Sequence, residues 1–259
     1  MSLNFHNDTN NIPIAKIKSK DKDLNGKILY FNDKGSVNKN SIVPTYDELK
    51  LKDGNKFQLM PSDKTRSIFI SGMQGIGKSY WIGAYLKQYQ KLHKDAKIII
   101  FSEKEHDVAI DDKLKNITRV PCDRSLLDNP VTKDELNKQP EYTMFVFDDV
   151  DGLDLKIRKE VYRVLNVLIN VYRSKKLNII FSSHKACDTT YTSTALQGCD
   201  VLVFFHRNYN RNIEYLVREY IKKKEKKNFE DGKYNDSRWC AFIKTYPSIL
   251  LFENEIKIT

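Results

Sequence analysis

The sequence predicts an α/β fold: a central, mostly parallel sheet flanked by helices, preceded by a small N-terminal extension. Three observations predict it. From Ser67 onward, short apolar runs alternate with stretches of helical period. The runs are apolar at successive rather than alternate positions, as in strands buried on both faces. A glycine-rich turn separates the first run from the first helical stretch.

Taken in order, residues 1 to 65 read as a polar, irregular extension. It has two extended pieces, Ile12 to Ile17 and Lys27 to Phe31, and turn signals at Asn25-Gly26 and Asp53-Gly54. Residues 66 to 259 read as the main domain. Its expected strands are Ser67 to Ile70, Lys97 to Phe101, Tyr142 to Phe147, Leu177 to Phe181 and Asp200 to Phe205. Trp81, Ile82, Tyr85, Leu86 and Tyr89 fall on one face of a helix. Leu153, Ile157, Val161, Val164, Leu165, Leu168 and Tyr172 fall on one face of a longer helix. Near the C-terminus, Ser237 to Ile243 and Ile249 to Phe252 read as two further strands, a hairpin or sheet edge around Tyr246-Pro247.

Composition bounds the function without naming it. At 259 residues, with 40% hydrophobic positions and only 10 Gly and 7 Pro, the chain can bury a core and is neither collagen-like nor wholly disordered. Apolar runs such as Val201 to Phe205 are far below the ~20 residues of a membrane-spanning helix, so a soluble protein is expected. The N-terminus lacks a signal-peptide layout. Cys122, Cys187, Cys199 and Cys240 form no Cys-x-x-Cys pair and read as reduced, mostly buried thiols. A net charge of +10 is compatible with a polyanionic partner.

The most specific motif is Gly72-Met-Gln-Gly-Ile-Gly-Lys-Ser79, which fits the Walker A pattern G-x-x-x-x-G-K-[ST] between a strand and a helix. In such a turn, backbone N–H groups point at phosphate oxygens, and the helix adds its positive end. The expected cradle is Gly72, Met73, Gln74, Gly75, Ile76, Gly77, Lys78, Ser79 and Tyr80. Lys78 would reach the terminal phosphates, and the Ser79 hydroxyl would ligate magnesium.

A second signal is the apolar strand that ends in Asp148-Asp149, a Walker B arrangement at the sheet end where open α/β folds place ligands. Asp148 suits the magnesium side. Asp149 is then placed to polarise a water, a role a nucleotide kinase would not need. Asp151 and Asp154 read as members of a solvated turn. The polar tip Ser182-Ser183-His184 follows the next strand, and His184 or Ser183 could sense an intact γ-phosphate.

This layout, with Arg173 closing the long helix and Leu196-Gln-Gly-Cys-Asp200 before the last parallel strand, resembles the FtsK/HerA superfamily of DNA-translocating ATPases. Within it the chain looks like the DNA-packaging ATPases of large DNA viruses. The resemblance covers roughly residues 66 to 225. The chain departs from it in having Asp149 where Glu is common and His184 where Gln is common. The resemblance implies a RecA/ASCE-like P-loop fold, ATP as nucleotide, and a homo-oligomeric ring around double-stranded DNA. It also implies an arginine acting in trans, for which Arg173 is the first candidate and Arg207 and Arg211 weaker ones. Alternatively, Arg173 is a cation at a helix C-terminus. Packaging would add a capsid or portal-vertex protein as partner, with the host cytoplasm, virus factory or virion as location.

The stretch His206 to Asn228, with Arg207, Arg211, Arg218, Lys222, Lys223, Lys224, Lys226 and Lys227, is positive enough to contact DNA phosphates without reading bases. It also suits a solvated helix end. The expected function is therefore a magnesium-dependent ATP hydrolase that moves viral DNA. A helicase or remodelling ATPase, and a nucleotide-dependent switch or scaffold with little turnover, are the alternatives.

Overall fold

The computed structural model describes residues 1–8, 11–32, 44–52, 54–186, 192–207, 210–221 and 223–259. Asp53, Cys187 and Lys222 lie outside the described residues, as does the side chain of Lys224. The N-terminal part contains β1 (Ser2–Asn4), β2 (Asn11–Lys18), β3 (Ile28–Asn32), β4 (Glu48–Lys50) and β5 (Lys56–Leu59). The main part runs through β6 (Ser67–Ser71), α1 (Lys78–Leu92), β7 (Ile98–Ser102), β8 (Ile117–Pro121), α2 (Ser125–Asp128), α3 (Lys133–Asn137), β9 (Met144–Phe147) and α4 (Leu155–Val171). It continues with β10 (Asn178–Ser183), α5 (Thr192–Gly198), β11 (Val201–Phe204), α6 (Arg211–Tyr220), α7 (Lys223–Glu230), β12 (Cys240–Ile243), β13 (Ile249–Phe252) and β14 (Glu255–Ile258).

The large sheet has ten strands in the order β4-β14-β13-β12-β11-β6-β10-β9-β7-β8. From β11 to β8 every neighbouring pair is parallel, whereas β12, β13, β14 and β4 extend the sheet antiparallel. The apolar runs divide between the two faces with period two. Phe69, Phe145, Phe147, Phe181, Leu202 and Phe204 join α4 and α6 in one core. Ile68, Ile70, Ile100, Val146, Ile180 and Val203 join Trp81, Ile82, Tyr85, Leu86 and Tyr89 of α1 in the other. A strand read by both cores has no polar face, hence the continuous apolar runs.

Among the first 65 residues, those described are more regular than the composition suggests. β1, β3, β2 and β5 form a four-stranded antiparallel sheet, and its Ile14, Leu29, Phe31, Phe57 and Leu59 enter the α1-side core. The C-terminal part holds three strands rather than two. β14 was hidden by its charged residues, since Glu255 and Lys257 are both buried. Strand β8 was likewise hidden by its mixed burial, with exposed positions at Thr118 and Pro121. Cys122, Cys199 and Cys240 are buried, as expected.

Among the described residues no helix is long and apolar enough to cross a membrane. The lysine-rich stretch resolves into α6 and α7, which bury Ile213, Leu216, Val217 and Phe229 against the core.

Candidate nucleotide-binding site

Strand order decides what meets at the sheet's C-terminal edge. β10 lies between β6, which leads into the glycine turn, and β9, which carries the acids. The three strands share one register: Phe181 of β10 pairs with Phe69 of β6 and Phe147 of β9. Gly72, Asp148 and Ser182–His184 therefore come off the sheet close to one level.

The turn from Gly72 to Gly77 closes on itself for specific reasons. Gly75 and Gly77 adopt φ of 74° and 106°, the left-handed region open to glycine. At Gly72 the limit is space: a Cβ there would lie 2.9 Å from Ile76 Cγ2 and 3.1 Å from Phe205 Cδ2. Phe205, just past β11, is thus the floor under the turn. The Gly72 N–H donates to Ser183 O at 3.2 Å, tying the turn to the tip of β10. Met73, Gln74 and Gly75 are exposed, while Ile76 and Ser79 are half-buried. Tyr80 points outward beneath Lys113, whose Nζ lies 4.5 Å from the ring centroid.

Lys78 opens α1 and is 4% exposed. Its Nζ donates to Gly72 O (2.9 Å) and Met73 O (3.3 Å), meets His184 Nδ1 at 2.9 Å, and pairs with Asp149 Oδ1 at 3.2 Å. A charged ammonium only donates, so Nδ1 accepts, and the ring proton sits on Nε2, 3.5 Å from Asp149 Oδ2. Lys78, His184 and Asp149 form a closed set.

The two acids are joined through Ser182. Its Oγ donates to Asp148 Oδ1 at 3.0 Å, lies 3.3 Å from Asp149 Oδ1, and accepts from the Asp149 N–H at 2.9 Å. Asp149 adopts φ 49°, ψ 41°, in the left-handed region, and its carboxylate reaches Lys78. Asp148 is 2% exposed, and Oδ2 is buried without a hydrogen-bond partner. Burial first, and the Asp149 charge second, push the Asp148 carboxyl above its ordinary value. An orphaned carboxylate oxygen of this kind suits a divalent cation or its bound water, so the Asp148 environment fits magnesium.

Several positions differ from the sequence expectations. Asp151 is not simply a solvated turn acid: its Oδ2 accepts the His184 N–H at 3.1 Å. Asp154 caps α4 by accepting the Lys156 N–H at 2.9 Å. The Ser183 hydroxyl is engaged with the Lys185 backbone, so at this tip it is His184 that faces Lys78. Ser182 and Phe205 were missed, because a contact made across strands leaves no contiguous motif. Lys104, beyond β7, was also missed. It pairs with Asp107 at 3.2 Å, and Asp107, Asp148 and Asp149 hold its ammonium charged against the desolvation that opposes it.

Arg173 lies at the other end of the sheet. It donates to Asp200 Oδ1 at 2.7 Å and to the Tyr172 hydroxyl at 2.8 Å, while Asp200 Oδ2 accepts the Ser67 N–H at the start of β6. Five residues of β6 separate that point from Gly72, roughly 15 Å. Arg207 donates to the backbone carbonyls of Asn235 and Asp236, and Arg211 is exposed at the start of α6.

No family model matches the chain. It is 29% identical to "Uncharacterized protein V3" of Sputnik virophage over 260 residues, covering 98% of each chain. It is similar in structure to B204, the DNA-packaging ATPase from Sulfolobus turreted icosahedral virus, with a TM-score of 0.51 and 12% identity over 74% of this chain and 98% of that one. The genome-packaging NTPase B204 of Sulfolobus turreted icosahedral virus 2, in complex with ATP-gammaS, aligns with a TM-score of 0.50 and 15% identity over the same shares. At these identities the likeness is one of fold. The chain has the fold of the P-loop ATPases and resembles the viral DNA-packaging members of that group.

Proposed function

We propose that the chain is a magnesium-dependent ATP hydrolase whose turnover drives movement of duplex DNA, in the packaging of a viral genome. The observation that carries this reading is the convergence of Lys78, Asp149 and His184 on one another, with Asp148 joined to them through Ser182. The glycine turn binds phosphates through its N–H groups and the N-terminal end of α1. Lys78 exchanges its carbonyl and imidazole contacts for phosphate oxygens. Asp148 and Ser79 would hold magnesium, which supplies charge neutralisation at the phosphates. Asp149 accepts a proton from the attacking water, and His184 orients Asp149 while touching the same space as Lys78.

Residues 1 to 65 act as an extension on a P-loop domain spanning 66 to 259. Arg173, exposed at the sheet edge opposite its own cradle, serves a neighbouring subunit of a ring. The cationic α6–α7 region takes the DNA backbone, and a capsid or portal-vertex protein docks the motor. The DNA-packaging role named for B204 of Sulfolobus turreted icosahedral virus supports the choice of DNA as the moved polymer.

ATP turnover measured with and without duplex DNA tests this directly, alongside the oligomer size in solution. Wild type is expected to hydrolyse ATP faster with duplex DNA, and Lys78→Ala to be silent in both. Turnover that ignores DNA in an assembled ring removes the motor assignment.

A further inference from the structure

Asp151, which the proposed hydrolysis leaves without a role, stands with Asp149 and His184 in one set of metal-ligating side chains. One ligand atom from each, a carboxylate oxygen from the two aspartates and a ring nitrogen from the histidine, lies within 4.8 Å of the others. The Nε2–Oδ2 distance between His184 and Asp149 is 3.5 Å. That is close to the ~3.4 Å edge of a tetrahedron with metal bonds of about 2.1 Å. Asp151 adds an independent sign. Its Oδ2 is occupied by the His184 N–H, but its Oδ1 is buried without a hydrogen-bond partner. A carboxylate oxygen left so is costly unless a cation or donor meets it.

We propose that Asp149, Asp151 and His184 bind a first-row transition cation, at a site separate from the Ser79–Asp148 magnesium position, and that nucleotide strengthens this binding. One imidazole nitrogen with two carboxylates suits Zn2+, Co2+ or Mn2+, whereas Mg2+ and Ca2+ favour oxygen alone.

The coupling follows from the histidine. Nε2 can ligate only when the ring proton is on Nδ1. In that tautomer Nδ1–H faces Gly72 O, 3.4 Å away, and cannot accept from Lys78. A backbone carbonyl behind a ligating imidazole is a common outer-shell support. The cation and the Lys78–His184 contact therefore exclude each other. A triphosphate that draws the Lys78 ammonium onto its oxygens removes this competitor, and by linkage cation and nucleotide raise each other's affinity by the same factor. This second half rests on the nucleotide reading of Lys78. An occupied site also holds the Asp149 carboxylate away from water activation, so the cation inhibits turnover.

Co2+ is the probe, titrated into the full chain in magnesium buffer and followed by visible absorption and calorimetry. The proteins are wild type, Asp151→Asn and His184→Gln, each with and without ATP-gammaS. Asp151→Asn keeps an acceptor for the His184 N–H and so preserves the local fold, which circular dichroism checks. One Co2+ per chain with nitrogen and oxygen ligation is expected. Its affinity should fall at least ~10-fold in either variant and rise with ATP-gammaS in wild type. Wild-type affinity in both variants, or a thiolate charge-transfer band, overturns the site. ATP-gammaS that binds without changing Co2+ affinity overturns the coupling. ATP-gammaS that fails to bind overturns the ATPase reading instead, and the two variants still decide the site.

Discussion

The Lys78 ammonium and the Asp149 carboxylate stand 3.2 Å apart although the strands that deliver them are separated by β10. Both reach over the tip of that strand, where His184 touches each. On the proposed function, the cation that takes phosphate is held by the acid that activates water, so nucleotide would have to part them and binding and water activation would share one set of contacts. Asp149→Asn is expected to retain nucleotide and lose ~10²–10⁴ in turnover, the usual worth of a positioned base. Fluorescent-nucleotide anisotropy and phosphate release measure the two. Hydrolysis at the wild-type rate would assign water activation elsewhere.

Gly72 and Gly75 should fail for different reasons. In Gly72→Ala the new Cβ meets Ile76 and the ring of Phe205 at 2.9 and 3.1 Å, so the turn itself must shift, at about 1–3 kcal/mol of stability and with a large loss of nucleotide affinity. In Gly75→Ala nothing lies within 4 Å of the Cβ, and only the backbone at φ 74° resists, at about 1–2 kcal/mol. Urea midpoints paired with nucleotide titrations separate the two. Equal nucleotide affinity in both variants would deny Phe205 its role as floor.

Such differences mark the limit of what a string of residues shows. The glycine turn and paired acids are contiguous, and their backbone requirements are written in neighbouring positions. Ser182 looks like Ser183 until register puts it beside Asp148. Glu225 looks like one more charge in a lysine run, yet it points inward, while Lys257 sits in a strand too charged to read as buried. The α/β alternation was legible because both cores claim each central strand. The edge strands β4 and β8 were not, because pairing rather than apolar burial defines them, and β14 was not, because Glu255 and Lys257 disguise a buried strand.

Asp148 predicts a pH dependence with a definite sign. Its raised carboxyl binds a proton more tightly in the folded chain than in the unfolded one, so its ionisation opposes folding as pH climbs from the ordinary carboxyl value through the raised one. Asp148→Asn should accordingly raise the melting temperature of the nucleotide-free chain at neutral pH while weakening magnesium-dependent nucleotide binding. In wild type that binding should decline on acidification earlier than an ordinary carboxylate would dictate, and Asp149→Asn should move the decline to lower pH. A titration of nucleotide affinity against pH, with an unshifted midpoint in Asp149→Asn, would contradict this.

Glu225 predicts the opposite sign for stability. Burial would raise its carboxyl, but hydrogen bonds from Lys257, Tyr234 and Asn228 bring it down to about 2. Its contribution is present above the ordinary 4.5 and disappears as pH falls from there to about 2. Glu225→Ala leaves the buried Lys257 ammonium to the Tyr234 hydroxyl and to Glu255, 3.9 Å away, and should lower stability by up to roughly 3–5 kcal/mol in urea denaturation at neutral pH. A loss below about 1 kcal/mol would mean that Lys257 finds another partner.

The pairing of β4 with β14 has a bearing on how the chain is made. Leu49 sits opposite Ile256, so a piece synthesised early waits for one synthesised late. At ~5–20 residues per second the ribosome leaves that border of the sheet unmatched for on the order of ten seconds or more. During that interval β4 offers open backbone to strangers, and β13 joins it only at the very end. Nascent chains stalled before residue 255 should therefore stick to one another, or to chaperones, more readily than those released whole.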